Sequence, residues 1–178
     1  MDEFETHIRW MRLALEQAEK ARALDEIPVG AVIVTDGRVL GKGYNRVETL
    51  KDPTAHAEII AIGAAAEESG YERLVDSTMY VTLEPCPMCA GAIMLARIPR
   101  LVYGAVDPKT GACGSLYDIC RDIRLNHKVE VVSGILESEC SGILSDFFRS
   151  LRERRRNKSD KDMPLIDMAA RYCRKEGK

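Results

Sequence analysis

Phe4, Ile8, Met11, Leu15 and Ala18 recur every three or four positions. That period predicts an N-terminal amphipathic helix with one apolar stripe turned to a core. The pattern then changes. Residues 29–35, Val-Gly-Ala-Val-Ile-Val-Thr, form a dense apolar run that ends at Asp36-Gly37, the dipeptide of a tight hairpin. Residues 38–45 predict the returning strand, where Gly41 and Gly43 mark a bulge or a close backbone approach. A loop through Asp52-Pro53-Thr54 leads to a helix that begins at His56 and ends near Gly70, a residue suited to a helix C-terminus. Residues 77–83 predict a third strand, with a helix over 86–97 directly after it. Residues 101–106 and 129–132 predict two more strands, separated by a Gly-rich loop at 109–114. A last long helix starts around Glu137 and carries Ile143, Leu144, Phe147, Phe148 and Leu151.

Helix, hairpin, then strands alternating with helices predicts an α/β chain: a three-layer α/β/α sandwich around a mixed five-stranded sheet. At 178 residues the chain is long enough to bury one sizeable core. The expected organisation is a main domain over residues 1–156 and a basic, loosely held extension over 157–178, which is polar apart from a short apolar patch at 163–170. The chain starts Met1-Asp2-Glu3-Phe4-Glu5, without the basic and apolar regions of a secretory leader. It has no apolar run of about 18 residues, so no membrane span is expected. Six cysteines, scattered except for one C-x-x-C pair, fit a reducing cytoplasm better than a disulfide framework.

Charge is unevenly distributed. The chain has 26 Lys and Arg against 28 Asp and Glu; residues 149–178 hold 11 and 5 of these, which leaves 15 and 23 in residues 1–148. The acidic body therefore ends in a basic segment where Arg149, Arg152, Arg154, Arg155, Arg156 and Lys158 crowd together. Such a patch attracts a phosphate backbone. Charge alone fits a solvated helix end better, since cations are favourable there in any case.

The chemistry sits in two halves of one constellation. His56-Ala57-Glu58 is H-x-E, and Pro85-Cys86-Pro87-Met88-Cys89 is P-C-x-x-C. One imidazole and two thiolates can hold a zinc ion with its fourth position open, which distinguishes a catalytic site from a structural one. Each half starts a predicted helix, whose N-terminal N–H groups favour thiolates. Cys86 and Cys89 are one helical turn apart, so both sulfurs can face one point. Glu58 lies too near His56 in sequence to be a comfortable co-ligand. It is placed to take a proton from an activated water and pass it on. The alternative is a structural zinc with Cys113 or Cys120 as fourth ligand. Otherwise Cys113, Cys120, Cys140 and Cys173 read as small core or surface residues, and His7 and His127 as ordinary ones.

These motifs resemble the zinc-dependent nucleobase deaminases. The resemblance extends through Glu26-Ile27-Pro28-Val29-Gly30-Ala31-Val32, Gly43-Tyr44-Asn45, Asp52-Pro53-Thr54, Thr82-Leu83-Glu84-Pro85, Asp107-Pro108-Lys109-Thr110-Gly111-Ala112, Asn126-His127-Lys128 and Ser145-Asp146-Phe147-Phe148-Arg149. Over roughly residues 5–155 the chain is similar to the bacterial-type tRNA adenosine deaminases. That resemblance implies a cytidine deaminase-like fold, one Zn2+ per chain, a homodimer and a cytoplasmic location. It also implies hydrolysis of adenosine to inosine at the wobble position of a tRNA anticodon loop, with water attacking C6 and Glu58 shuttling protons. By the same resemblance Asn45 bonds the flipped base, Val29 and Ala57 line its pocket, and Asp107 meets a neighbouring nucleotide. Arg149, Arg152 and Arg154 would then meet the RNA backbone of the anticodon stem-loop. Two other functions share parts of the pattern: a deaminase of free guanine or cytosine, and a silent tRNA-binding scaffold subunit, for which Glu58 would have no use.

Overall fold

A computed structural model describes residues 2–157. Apart from the backbone of Asn157, the expected extension lies outside the described residues. These divide after Ser145 into two compact units.

The chain order is α1 (Glu3–Ala23), β1 (Gly30–Thr35), β2 (Arg38–Tyr44), α2 (Val47–Leu50), α3 (Ala57–Ser69), β3 (Thr78–Leu83), α4 (Pro87–Leu95), β4 (Arg100–Ala105), β5 (Glu130–Ser133) and α5 (Glu137–Asn157). The sheet runs β2-β1-β3-β4-β5. β1 pairs antiparallel with both β2 and β3, whereas β3, β4 and β5 are parallel. This is the mixed five-stranded sheet the pattern predicts.

Alternation along each central strand divides the core in two. Ala31, Ile33, Met79, Val81, Leu101 and Tyr103 face one side, with Ala57, Ala61 and Ala65 of α3 and Ala90 and Ile93 of α4. Val32, Val34, Tyr80 and Val102 face the other, with Trp10, Met11 and Ala14 of α1 and Cys140 near the start of α5. Burial on both faces explains why these strands read as continuous apolar runs in the sequence.

Asp36 and Gly37 both take positive φ, 50° and 72°, as a hairpin with two such central residues requires. Gly41 and Gly43 turn out to mark both features expected of them. The β1–β2 register slips between Ile33 and Val34. A Cβ on Gly41 would lie 2.5 Å from the Ala61 carbonyl, and one on Gly43 would lie 2.1 Å from that of Ala57. The glycines therefore let α3 lie directly on β2, which fixes the start of α3 against the sheet.

The apolar stripe of α1 is rotated from the predicted one. Phe4 is 61% exposed, whereas His7, Trp10, Ala14 and Gln17 are buried with Met11 and Ala18. The cause is a polar core contact: His7 Nδ1 is 3.0 Å from the Tyr80 hydroxyl. Among the described residues no helix is long and apolar enough to cross a membrane.

Candidate metal and catalytic site

His56 and Cys86 occupy equivalent places. Each is the N-cap of its helix in extended backbone, and neither makes a side-chain cap hydrogen bond. A cap side chain is normally spent on the first turn; here both remain available. Pro87 starts α4 with the ring-fixed φ that suits a first helical position, and Cys89 follows one turn later. His56 Nδ1 lies 3.7 Å from Cys86 Sγ and 3.5 Å from Cys89 Sγ. All three donor atoms fall within 4.8 Å of one another. Cys89 is buried, and His56 and Cys86 are half-buried.

The donors are electrostatically coupled. A hydrogen bond from the Cys89 thiol, joined by one to His56, lowers Cys86 to about 4. That shared bond and burial push Cys89 upward. His56 is raised, chiefly by its bond to Cys86. One thiol proton is thus lost easily and the second is held. Two sulfurs and an imidazole nitrogen this close suit a thiophilic dication, which displaces such protons. Cys113 and Cys120 stand apart from this group. Their sulfurs face each other at 3.4 Å in the core, and among the described residues neither joins the metal-competent cluster.

Glu58, on the first turn of α3, is buried. Burial raises its carboxyl, and its side chain bonds the Cys89 thiol. The four chemistry-bearing residues of the H-x-E and C-x-x-C motifs therefore come together.

Most of the remaining expected residues have partners of their own. Asn45 donates its backbone N–H to the Val29 carbonyl at 3.0 Å, and both are buried. The Asn45 amide nitrogen donates to Glu26 Oε2 at 3.3 Å. Because that carboxylate can only accept, the contact orients the amide. Ala57 is fully buried as the first residue of α3. Asp107 is half-buried, and its carboxylate accepts from Lys109 N, Thr110 N and Thr110 Oγ1. It organises its own loop. Arg149, Arg152 and Arg154 are exposed on the second half of α5, where Arg149 pairs with Asp146 at 2.6 Å. His127 donates Nε2–H to the Ile98 carbonyl at 2.8 Å.

Two buried carboxylates escaped the sequence reading as functional groups. Glu26 bonds Asn45 and also accepts from Glu48 N and Thr49 N at 3.2 and 2.6 Å. Glu84 gathers a loop beside Cys86. The available signal was an acidic residue one or two positions before a proline, Glu26-Ile27-Pro28 and Glu84-Pro85.

A family model of MafB19-like deaminases matches residues 5–152. The chain is 55% identical over 149 residues to the tRNA-specific adenosine deaminase of Haemophilus influenzae, covering 83% of this chain and 86% of that protein. It is 47% identical over 147 residues to the tRNA-specific adenosine deaminase of Bacillus subtilis, covering 83% and 91%. A solved structure from a study of A-to-I editing by tRNA:A34 deaminases at the wobble position superposes with a TM-score of 0.74 and 51% identity, over 76% of this chain and 99% of that one.

Proposed function

This chain belongs to the tRNA-specific adenosine deaminase family, and from that premise we infer that it hydrolyses adenosine to inosine at the wobble position of a tRNA anticodon loop. The observation that carries the inference is the meeting of His56, Cys86 and Cys89 within 4.8 Å beside the buried carboxyl of Glu58. Two sulfurs and one nitrogen, with no fourth donor in the cluster among the described residues, fit a catalytic zinc, one per chain. When bound, zinc supplies Lewis acidity that brings the pKa of a water from 15.7 to about 7.

The residues of the chain do the rest. Glu58 takes a proton from the attacking water and delivers it to the purine ring as oxygen adds at C6. It then carries the proton of the new C6 hydroxyl to the amino group as the C6–N bond breaks. Adenosine and water become inosine and ammonia. Asn45, oriented by Glu26, bonds the base; Val29 and Ala57 bound its pocket; Asp107 and its loop meet the adjoining nucleotide. A base in a duplex cannot reach a recessed site, whereas a loop nucleotide can be turned out at low cost. Arg149, Arg152 and Arg154 contribute contacts to phosphate. Exposed Leu95, Leu116, Tyr117, Ile123 and Leu125 support a homodimer that covers them, and a tRNA substrate supports a cytoplasmic location.

The test is to incubate the purified protein with a transcribed anticodon stem-loop, with free adenine, guanine and cytosine, and with their nucleosides. Inosine in the stem-loop alone is expected. Turnover of free bases alone would make this a small-molecule deaminase, and none at all a scaffold.

A further inference from the structure

Glu84 is 2% exposed and immediately precedes the Pro85-Cys86 turn. Its hydrogen-bond donors come from one loop. Oε1 accepts from Cys113 N and Ser115 N, both at 3.0 Å. Oε2 accepts from Asp107 N at 3.0 Å and, in a short contact, from the Ser115 hydroxyl. A buried carboxylate is costly unless it is well bonded, and these donors are all uncharged. The burial is therefore sustained by holding this loop in one shape.

The loop is built around the carboxylate. A Cβ on Gly111 would lie 2.4 Å from Glu84 Cδ, so only glycine lets the backbone pass. Ala112 N donates to the Pro85 carbonyl at 2.8 Å, fastening the loop a second time to the segment that ends at Cys86. Asp107 is held at both ends: its amide by Glu84, its carboxylate by Lys109 and Thr110. The Glu84 carboxylate is enclosed by the loop it binds.

We propose that Glu84 is a positioning residue: by fixing residues 107–115 to the turn that carries Cys86, it sets the pocket wall that meets the nucleotide beside the target base. The proposal rests on the deaminase reading above, in which Asp107 meets that nucleotide. Its effect passes through Asp107, so the two residues must be coupled.

The experiment uses full-length protein: wild type, Glu84→Gln, Asp107→Ala and the double variant. KM and kcat are measured on an anticodon stem-loop, with zinc content and amide hydrogen exchange of residues 107–115. Glu84→Gln is expected to keep its zinc and to raise KM about tenfold, the scale of one lost charge-assisted hydrogen bond, with kcat within about threefold. Its Asp107 and Ser115 amides should exchange faster. The double variant should be no worse than the worse single one. An unchanged KM, or effects of Glu84→Gln and Asp107→Ala that multiply, would overturn the role of Glu84 while leaving the deaminase reading intact. A wild type that never converts the stem-loop would overturn both. Should Glu84→Gln fail to fold, Ser115→Ala removes one donor from the same carboxylate. It is expected to move KM in the same direction by less, and an unchanged KM there would count against the proposal equally.

Discussion

After the carboxyl end of β3, His56 faces Cys86 and Cys89 at 3.7 and 3.5 Å. Toward the amino ends of β3 and β4, His7 faces Tyr80 at 3.0 Å beside Arg100. Both places gather a histidine and titratable neighbours, and the second even borders an open cavity of about 490 Å³. They differ in how their polar groups are matched. At the amino end the histidine and the arginine have partners of the right kind. His7 meets a hydroxyl, and Arg100 bridges Glu3 and Glu130 at 3.0 and 2.9 Å. At the carboxyl end two thiols and an imidazole converge with only their own protons to share, and a thiophilic cation can displace those protons and hold all three together. Polar groups that complete one another hold a fold. Groups that share one need bind something. In open α/β sheets such places lie beyond the carboxyl ends of the strands.

The largest expected effect breaks the carboxyl end alone. Cys86→Ala or Cys89→Ala, or prolonged chelation, should remove zinc and bring deamination to background, with a lower Tm because metal binding contributes to folding. His7→Gln should leave zinc content and turnover within about twofold. Metal analysis and inosine formation on the same preparations check both. A Cys86→Ala protein that still holds one zinc per chain would show that Cys86 is not a zinc ligand.

Next, Glu58→Ala should keep its zinc and its affinity for tRNA yet lose deamination by at least a few hundredfold, within the 10²–10⁴ typical of general acid–base transfer. Single-turnover kinetics at saturating stem-loop is the measurement. Comparable turnover would assign proton transfer to another group.

A smaller effect separates affinity from chemistry. Neutralising Arg149, Arg152 and Arg154 together should weaken binding of any stem-loop. It should also flatten the dependence of log Kd on log salt by about 0.7–0.9 per lost contact, with little change in turnover at saturation. An unchanged slope would leave these residues as a solvated helix end.

The smallest effect belongs to the amino end and is read through pH. Burial lowers the pKa of His7, Arg100 lowers it further, and Glu3 and Glu130 oppose them. The unfolded chain takes up that proton first, near the ordinary value of about 6.5. The stability is therefore fully present above that pH and is lost as pH falls through the folded value. Tm measured between about pH 7.5 and 5 should fall less steeply for His7→Gln than for wild type. Parallel curves would show that the buried histidine has no part in acid sensitivity.

The local periodicities and the motif spacing were sufficient for much of this molecule. The apolar runs predicted all five strands to within a few residues; for β1, β3 and β4 the reason is burial on both faces, which leaves a segment few alternatives. Asp36-Gly37 predicted the hairpin turn because only certain residues tolerate its positive φ. His56, Glu58, Cys86 and Cys89 were legible because helix starts and one-turn spacings are local geometry. Other features depended on partners distant in sequence. α2 is only four residues long and its N-cap Arg46 makes no side-chain cap bond; it is held by Glu26, more than 20 residues earlier. The stripe of α1 turned away from Phe4 because Tyr80, 73 positions on, satisfies His7 in the core. Glu84 looks like a surface acid until the loop folds over it and supplies its donors. Apolar pattern reports what each residue avoids, and the chain can be read for that directly. Whether a polar group can be buried depends on which donors the tertiary structure brings to it.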